Sequence, residues 1–125
     1  MRVVDAGVVV ELLVGGLDPD ALGDEELAVP HLLDSEVVNA LRRLVLRGDL
    51  SDVAGSDALE GFLRLSFTRW PVDGLRRRMW ELRANVTAYD ATYVALAERT
   101  GATALLTTDV RLAAAPGLRC RVVVL

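Results

Sequence analysis

Four acidic residues, Asp5, Glu36, Asp90 and Asp109, occupy positions where carboxylates can do chemistry. Asp5 and Asp109 directly follow short apolar runs that we predict as strands, whereas Glu36 and Asp90 fall on predicted helices. If the four meet, they need a counter-charge, because two unit charges ~4 Å apart repel by ~4 kcal/mol at an effective dielectric constant of about 20. Oxygen ligands suit Mg²⁺ or Mn²⁺, and such a site activates water and stabilises a phosphoryl transition state.

Three of these acids also have a purely structural interpretation. Aspartate is a preferred N-cap residue, so Asp5 and Asp109 can each cap the helix that follows, at about 1 kcal/mol per cap. Asp90 follows Thr87 at the spacing of a capping box, which closes the first turn of a helix. Considered singly, these acids indicate helix starts as well as they indicate a site.

Glu36 is harder to explain in this way, because it lies on the edge of the apolar stripe of its helix. At ~100° per residue it is only ~60° from Leu33, and Asn39 and Arg43 share the same edge. A carboxylate that faces partly inward is costly unless it is paired. Either Arg43 forms a structural ion pair with one of the acids, or Glu36 belongs to a cation site that Asn39 and Arg43 support.

The composition excludes several other chemistries. All 14 basic residues are Arg, which removes Schiff-base enzymes, Walker-type phosphate loops, and the lysine-dependent receiver domains and haloacid-dehalogenase-type phosphatases. With His31 as the only histidine, and predicted at a helix start, a two-histidine ribonuclease is excluded, and no Gly-x-Ser-x-Gly motif supports a serine triad. The lone Cys120 cannot form an internal disulfide, and no membrane-spanning or signal-peptide pattern is found. We therefore expect a cytoplasmic protein with no membrane contact.

Apolar runs alternate with helical patterns along the chain. Predicted strands are the segments RVV, LAVP, ATALLTT and CRVVVL, while FTRWPV is either a strand or a turn. Predicted helices follow Asp5 and cover residues 31–47, 52–65, 72–84 and 87–99, with a short one at VRLAAA. Continuous apolar strands of this kind are typical of a parallel sheet that is buried on both faces. The sequence predicts one α/β domain over residues 1–125, a three-layer sandwich around a mainly parallel central sheet.

Four segments resemble PIN-domain ribonucleases, and more closely the VapC-type toxins of bacterial toxin–antitoxin pairs. They are VVDAGVVVELL, HLLDSEVVNALRRLV, TAYDATYVALAERTGATALLTTD and LAAAPGLRCRVVVL, in the expected order over nearly the whole chain. The resemblance implies a PIN-like domain that cleaves RNA with a metal-activated water. It places Asp5, Glu36 and Asp90 as Mg²⁺ or Mn²⁺ ligands, with Asp109 in support.

One position departs from the family pattern. A small hydroxyl residue is common two positions after the first aspartate, and here that position is Gly7, so a hydrogen bond to Asp5 is expected to be missing. Thr107 and Thr108 are the hydroxyl residues near the site, and the sequence does not say which one faces it.

Arginines and aromatic residues are the remaining candidates for RNA contact. Two arginine groups occur, at residues 42, 43 and 47 and at residues 76–78, and arginine binds phosphate through its bidentate fork. We favour an RNA role for Arg43, and a solvated helix face for the second group. Trp70, Trp80 and Tyr93 are interpreted as core or interface residues rather than base-stacking platforms.

The partners that we expect are an RNA substrate, a small cognate antitoxin and a second copy of the chain. The mean hydropathy is +0.33, and a chain of 125 residues has a limited interior, so some apolar surface should be exposed for binding. We predict that a groove between the helices at residues 31–47 and 52–65 receives an amphipathic antitoxin segment. The alternative is a non-catalytic PIN-like binding or regulatory module.

Overall fold

The computed structural model describes all residues from Met1 to Leu125. Five strands form one sheet in the order β3-β2-β1-β4-β5, and every neighbouring pair is parallel. The strands are β1 (Arg2–Val4), β2 (Leu27–Pro30), β3 (Thr68–Trp70), β4 (Ala104–Thr107) and β5 (Val122–Val124). The helices are α1 (Ala6–Val14), α2 (Leu32–Leu46), α3 (Asp52–Arg64), α4 (Arg76–Glu81), α5 (Ala88–Thr100) and α6 (Val110–Ala114), with 3₁₀ turns at Pro19–Leu22 and Asp73–Leu75.

The helices cover both faces of the sheet. Crossovers between parallel strands are right-handed, so helices that lead one way along the sheet lie on one face and helices that lead the other way lie on the opposite face. From β1 the chain moves outward through α1 to α3, which pack on one another, and then returns across the sheet through α4 and α5. This arrangement is the predicted three-layer α/β sandwich, and the parallel sheet is confirmed.

The core centres on β1 and β4 and on the helix that covers them. Val3, Val4, Leu105 and Leu106 are at most 1% exposed. Helix α5 contacts β1, β2 and β4 on one side and α4 on another, and all seven residues from 91 to 97 are buried. Enclosure of this kind explains why residues 91–97 carry no charged side chain on any face of the helix.

Two elements differ from the sequence prediction or resolve it. The ambiguous FTRWPV segment contains strand β3, which is an edge strand paired to β2. The single helix predicted over residues 72–84 is wrong, because a 3₁₀ turn precedes α4 and α4 ends at Glu81. Residues 82–86 form the turn between α4 and α5. In this turn the Val86 N–H donates to the Leu82 carbonyl at 3.1 Å, and the next residue, Thr87, caps α5.

Candidate active site

The four acids lie around the carboxyl ends of the two central strands. The order β3-β2-β1-β4-β5 reverses direction between β1 and β4, and in open parallel sheets ligands bind in the crevice at such a switch point. Asp5 follows β1 directly, and Asp109 lies two residues beyond the end of β4. Glu36 comes from the first half of α2 and Asp90 from the first turn of α5. The sheet topology therefore directs all four towards one crevice.

Asp5 is the most enclosed of the four acids, with 9% of its surface exposed. Its Oδ1 accepts the Val8 N–H at 2.9 Å, which caps α1, and its Oδ2 accepts the Thr107 hydroxyl. The Thr107 Oγ1 in turn accepts the Asp109 N–H at 3.0 Å. Burial raises the pKa of Asp5 and the charges of Asp90 and Asp109 add to the rise, against the opposing Thr107 and Val8 hydrogen bonds. Asp5 is thus both the N-cap of α1 and a buried carboxyl group whose ionisation is disfavoured.

Of the two neighbouring threonines, Thr107 is the one whose hydroxyl binds an acid of the cluster. It is fully buried, and it links the carboxylate after β1 to the backbone after β4. Thr108 is exposed and forms no hydrogen bond through its hydroxyl, although it lines a cavity beside the acids.

Glu36 is held by a residue that the sequence analysis assigned to the core. The Tyr93 hydroxyl donates to Glu36 Oε1 at 2.6 Å, from a side chain that is only 2% exposed. Burial raises the pKa of Glu36, with added repulsion from Asp90 and Asp5, while the Tyr93 bond opposes the rise. Tyr93 comes three residues after Asp90 on α5, and helical neighbours at that spacing share a face. That spacing was the signal in the sequence that could have identified it.

Asp90 and Asp109 complete the cluster. The Thr87 Oγ1 accepts the Asp90 N–H at 3.2 Å, so the predicted cap of α5 is present. Burial raises the pKa of Asp90, and the neighbouring Asp109 raises it further, while the charge of Arg111 opposes the rise. Asp109 Oδ1 accepts the Arg111 N–H at 2.8 Å and caps α6, as predicted.

The positive charge near this cluster lies on the Asp109 side, where Arg111 pairs with Asp109 at 3.6 Å. Asp5, Glu36 and Asp90 take part in none of the ion pairs of the protein. The structural alternative, in which Arg43 pairs with one of them, is therefore not realised, and Arg43 is exposed. With the side chains as they stand, no three acidic groups lie close enough together to hold one metal ion. The acids share an electrostatic environment without forming a preassembled ligand set.

Gly7 leaves room for the Thr108 hydroxyl. A Cβ atom at Gly7 would lie 2.7 Å from Thr108 Oγ1 and 3.5 Å from Asp5 Oδ1. The Thr108 hydroxyl therefore lies next to the space that a hydroxyl side chain at position 7 would occupy.

Two cavities lie next to the acids, and each is lined by different members of the cluster. One, of about 600 Å³, is lined by Glu36, Asn39 and Arg43 of α2 together with Thr108, so the predicted edge of α2 does face one space. The other, of about 520 Å³, lies beside the remaining acids and has arginines on its wall; its residues include Arg83, Thr87, Asp90, Asp109 and Arg111.

The other arginines divide by their contacts. Arg42 lines the groove between α2 and α3, and Arg47 pairs with Asp49 at 3.6 Å. In the second group, Arg78 binds Glu98 through two nitrogens at 2.7 and 3.1 Å and also donates to the Gly117 carbonyl at 2.7 Å, while Arg76 donates to the Asp73 carbonyl at 3.0 Å.

The structure agrees with the prediction for His31 and agrees only in part with the prediction for the two tryptophans. His31 occupies the start of α2, as predicted, without a capping bond from its side chain. Trp70 is half-buried at the end of β3. Trp80 is 68% exposed, which rules out a place in the core.

Comparison with known proteins agrees with this architecture. The family model described as PIN domain matches residues 2–118. Ribonuclease VapC9 of Mycobacterium tuberculosis is 46% identical over 125 residues, covering 99% of this chain and 98% of VapC9. Ribonuclease VapC1 of the same species is 44% identical, covering 96% of this chain and 94% of VapC1.

Solved structures show the same fold. PAE2754 from Pyrobaculum aerophilum superposes with a TM-score of 0.71 at 30% identity, over 97% of this chain and 81% of that one. VapC20 of Mycobacterium tuberculosis, described as a toxin that cleaves the sarcin–ricin loop, superposes with a TM-score of 0.68 at 18% identity, over 97% and 99% of the two chains. The chain belongs to the PIN-domain family, as a ribonuclease of the VapC type.

Proposed function

We propose that the chain is a Mg²⁺- or Mn²⁺-dependent endoribonuclease and the toxin of a toxin–antitoxin pair. The observation that carries the proposal is the cluster of Asp5, Glu36 and Asp90, whose pKa values are all raised and which form no ion pair within the protein. Burying or half-burying three carboxylates without an ion pair lowers the stability of the fold, so a purely structural role does not explain them. The same observation argues against a non-catalytic PIN-like module, since all four acids are present.

The donor chemistry of the cluster fits a hard divalent cation. Its members offer carboxylate and hydroxyl oxygens only, with no thiolate or imidazole, which suits Mg²⁺ or Mn²⁺. We assign Asp5, Glu36 and Asp90 as the residues that hold the cation, with Asp109 in support. A bound cation supplies a polarised water and neutralises charge on the scissile phosphate.

The surrounding residues orient these acids and handle the substrate. Thr107 fixes Asp5 through its hydroxyl, and Tyr93 fixes Glu36, so that neither carboxylate rotates freely. Asn39 and Arg43 line the cavity next to Glu36, where an exposed guanidinium is placed to bind RNA phosphate. Thr108 presents its hydroxyl to the same cavity.

Cleavage assays on purified protein test the chemistry. RNA should be cut with Mg²⁺ or Mn²⁺ and not with EDTA, leaving a 5′-phosphate and a 3′-hydroxyl. Asp5→Asn and Asp90→Asn should abolish both cleavage and Mn²⁺ binding measured by isothermal titration. Asp57→Asn is the matched control, because Asp57 is exposed on α3, away from the site. A 2′,3′-cyclic phosphate product, or full activity in EDTA, would show that the mechanism is wrong.

The partner that we propose is a small antitoxin that binds between α2 and α3. A groove of about 320 Å³ runs there, and its apolar residues Val38, Leu46 and Leu59 are 49%, 69% and 38% exposed. Among the structural neighbours, VapBC2 from Rickettsia felis was solved bound to a promoter DNA fragment, and a Klebsiella pneumoniae structure is described as a toxin–antitoxin complex.

We also propose that the toxin is cytoplasmic and forms a homodimer. Co-expression tests the antitoxin, and light scattering tests the homodimer. The free protein should be toxic or poorly soluble, and the neighbouring reading frame should rescue both. Leu46→Glu in the groove should weaken the complex, whereas Leu63→Glu, equally exposed on α3 but outside the groove, should not. A stable monomer by light scattering would exclude the homodimer, and no gain on co-expression would exclude the antitoxin.

A further inference from the structure

Trp80 is the one large aromatic side chain of α4, a helix that packs against α5, and it projects into solvent. Its side chain is 68% exposed. The Arg83 guanidinium lies over the indole at 4.5 Å from the ring centroid, and Arg83 Nη1 donates to the Trp80 carbonyl at 2.9 Å. The arginine therefore holds the indole from one side and leaves most of the ring open.

Arg83 also connects this indole to the acids. It lines the cavity of about 520 Å³ that Asp90 and Asp109 line, so one side chain contacts both the ring and the space next to the carboxylates. Arg111 lies on the wall of the same cavity. Arg83 is therefore placed to contact a polymer whose phosphate reaches Asp90 through this cavity.

The charges around Trp80 favour a polyanion over an apolar protein surface. Arg77 precedes Trp80 by three residues on α4 and so lies on the same helical face. Neither Arg77 nor Arg83 takes part in an ion pair, whereas the nearby Glu81 is paired with Arg78 at 3.3 Å. An open indole with one guanidinium stacked on it and a second on the same helical face matches a nucleic acid, which offers a base to stack and a phosphate next to it.

We propose that Trp80, held by Arg83, is a stacking platform for one nucleobase of the RNA substrate, on the Asp90 side of the scissile phosphate. The platform rests on the ribonuclease function proposed above and adds a subsite to it. Stacking tolerates any base, so the subsite contributes affinity and register more than sequence choice. Arg77 and Arg83 then contact the flanking phosphates.

Steady-state kinetics on a short fluorogenic single-stranded RNA test the platform in the full chain. Trp80→Leu should raise KM roughly fivefold to a hundredfold, the range expected for loss of one stacked base, with kcat changed by less than about twofold. Trp80→Phe keeps an aromatic face and should keep most of the affinity. Leu63→Ala, which removes a side chain that is 68% exposed on α3, is the control and should change neither constant.

Indole fluorescence provides a readout that does not need cleavage. In a Trp70→Phe background, with EDTA present, single-stranded RNA should quench Trp80, and an abasic ribose–phosphate oligomer should not. An unchanged KM in Trp80→Leu, or equal quenching by both oligomers, would overturn the platform. So would a loss confined to antitoxin binding, which would make Trp80 a protein contact. If the parent cleaves no RNA, the ribonuclease proposal fails separately, and quenching still reports on the platform.

Discussion

Replacing Thr107 by Val removes the hydroxyl that joins the two central strand ends and keeps the shape of the side chain. Thr107 is fully buried, so the replacement creates neither a cavity nor a clash. The Asp5 carboxylate loses a donor and the Asp109 N–H loses its acceptor at 3.0 Å. A hydrogen bond to a charged group contributes about 1.5–3 kcal/mol and a neutral one about 0.5–1.5 kcal/mol. The expected loss is about 2–4 kcal/mol, a large part of the ~5–15 kcal/mol that stabilises a typical domain.

The loss should depend on pH with a definite sign. The Thr107 hydrogen bond opposes the rise in the Asp5 pKa that burial causes, so Thr107→Val should raise that pKa further. A native pKa above the unfolded value means that the native state holds more protons in that window, and stability then falls as pH rises. Below pH ~4, where Asp5 is protonated in the native and the unfolded state, the difference between parent and variant should fall to the part that the Asp109 hydrogen bond contributes, and it should grow towards neutral pH.

Chemical denaturation with EDTA present, repeated between acidic and neutral pH, measures this difference. Thr108→Val is the matched control, because it is the same substitution at the next residue, where the hydroxyl is exposed and unbonded. It should change the free energy of unfolding by less than about 0.5 kcal/mol. Equal effects at the two positions, or a Thr107→Val loss that is independent of pH, would refute the role assigned to the hydroxyl.

Three further predictions follow from single contacts. Asp90→Asn should stabilise the metal-free protein at neutral pH, because burial and the Asp109 charge raise the Asp90 pKa. In thermal melts with EDTA, this gain in stability should fade below pH ~4. Mn²⁺ should stabilise the parent more than the variant. Gly7→Ala brings a Cβ to 2.7 Å from Thr108 Oγ1, so the helical gain of up to ~1 kcal/mol should appear fully only in a Thr108→Ala background, which a double-mutant cycle measures. Arg78→Met should cost about 2–3 kcal/mol in urea denaturation, since it leaves a carboxylate that is 12% exposed without its partner, and an equal stability would contradict that network.

The sequence predicts the parts of the molecule that depend on local pattern. Continuous apolar strands predict a parallel sheet, and Asp5 and Asp109 are predicted at helix starts because a residue between a strand and a helix has few other roles. The pairing of Tyr93 with Glu36 spans 57 residues and depends on how α5 packs against the sheet, which no local pattern carries. The sequence left Trp80 open between the core and an interface for a related reason. An aromatic residue on a short helix is buried or not according to what the rest of the chain places over it.

Because two of the acids are helix caps, a variant that tests the proposed chemistry at these positions also tests the stability of the fold. Asp5 caps α1 with one oxygen and accepts the Thr107 hydroxyl with the other, and Asp109 caps α6. Alanine at either position removes a cap of about 1 kcal/mol together with the charge, so a loss of activity in such a variant has two causes. Asparagine at position 109 keeps the capping oxygen and removes only the charge. At position 5 it also replaces the Oδ2 atom that accepts the Thr107 hydroxyl by an NH2 group, so Asp5→Asn loses that hydrogen bond as well. A metal-binding role for Asp109 is therefore tested by Asp109→Asn alone, whereas Asp5→Asn is compared with Thr107→Val, which removes the same hydrogen bond and keeps the carboxylate.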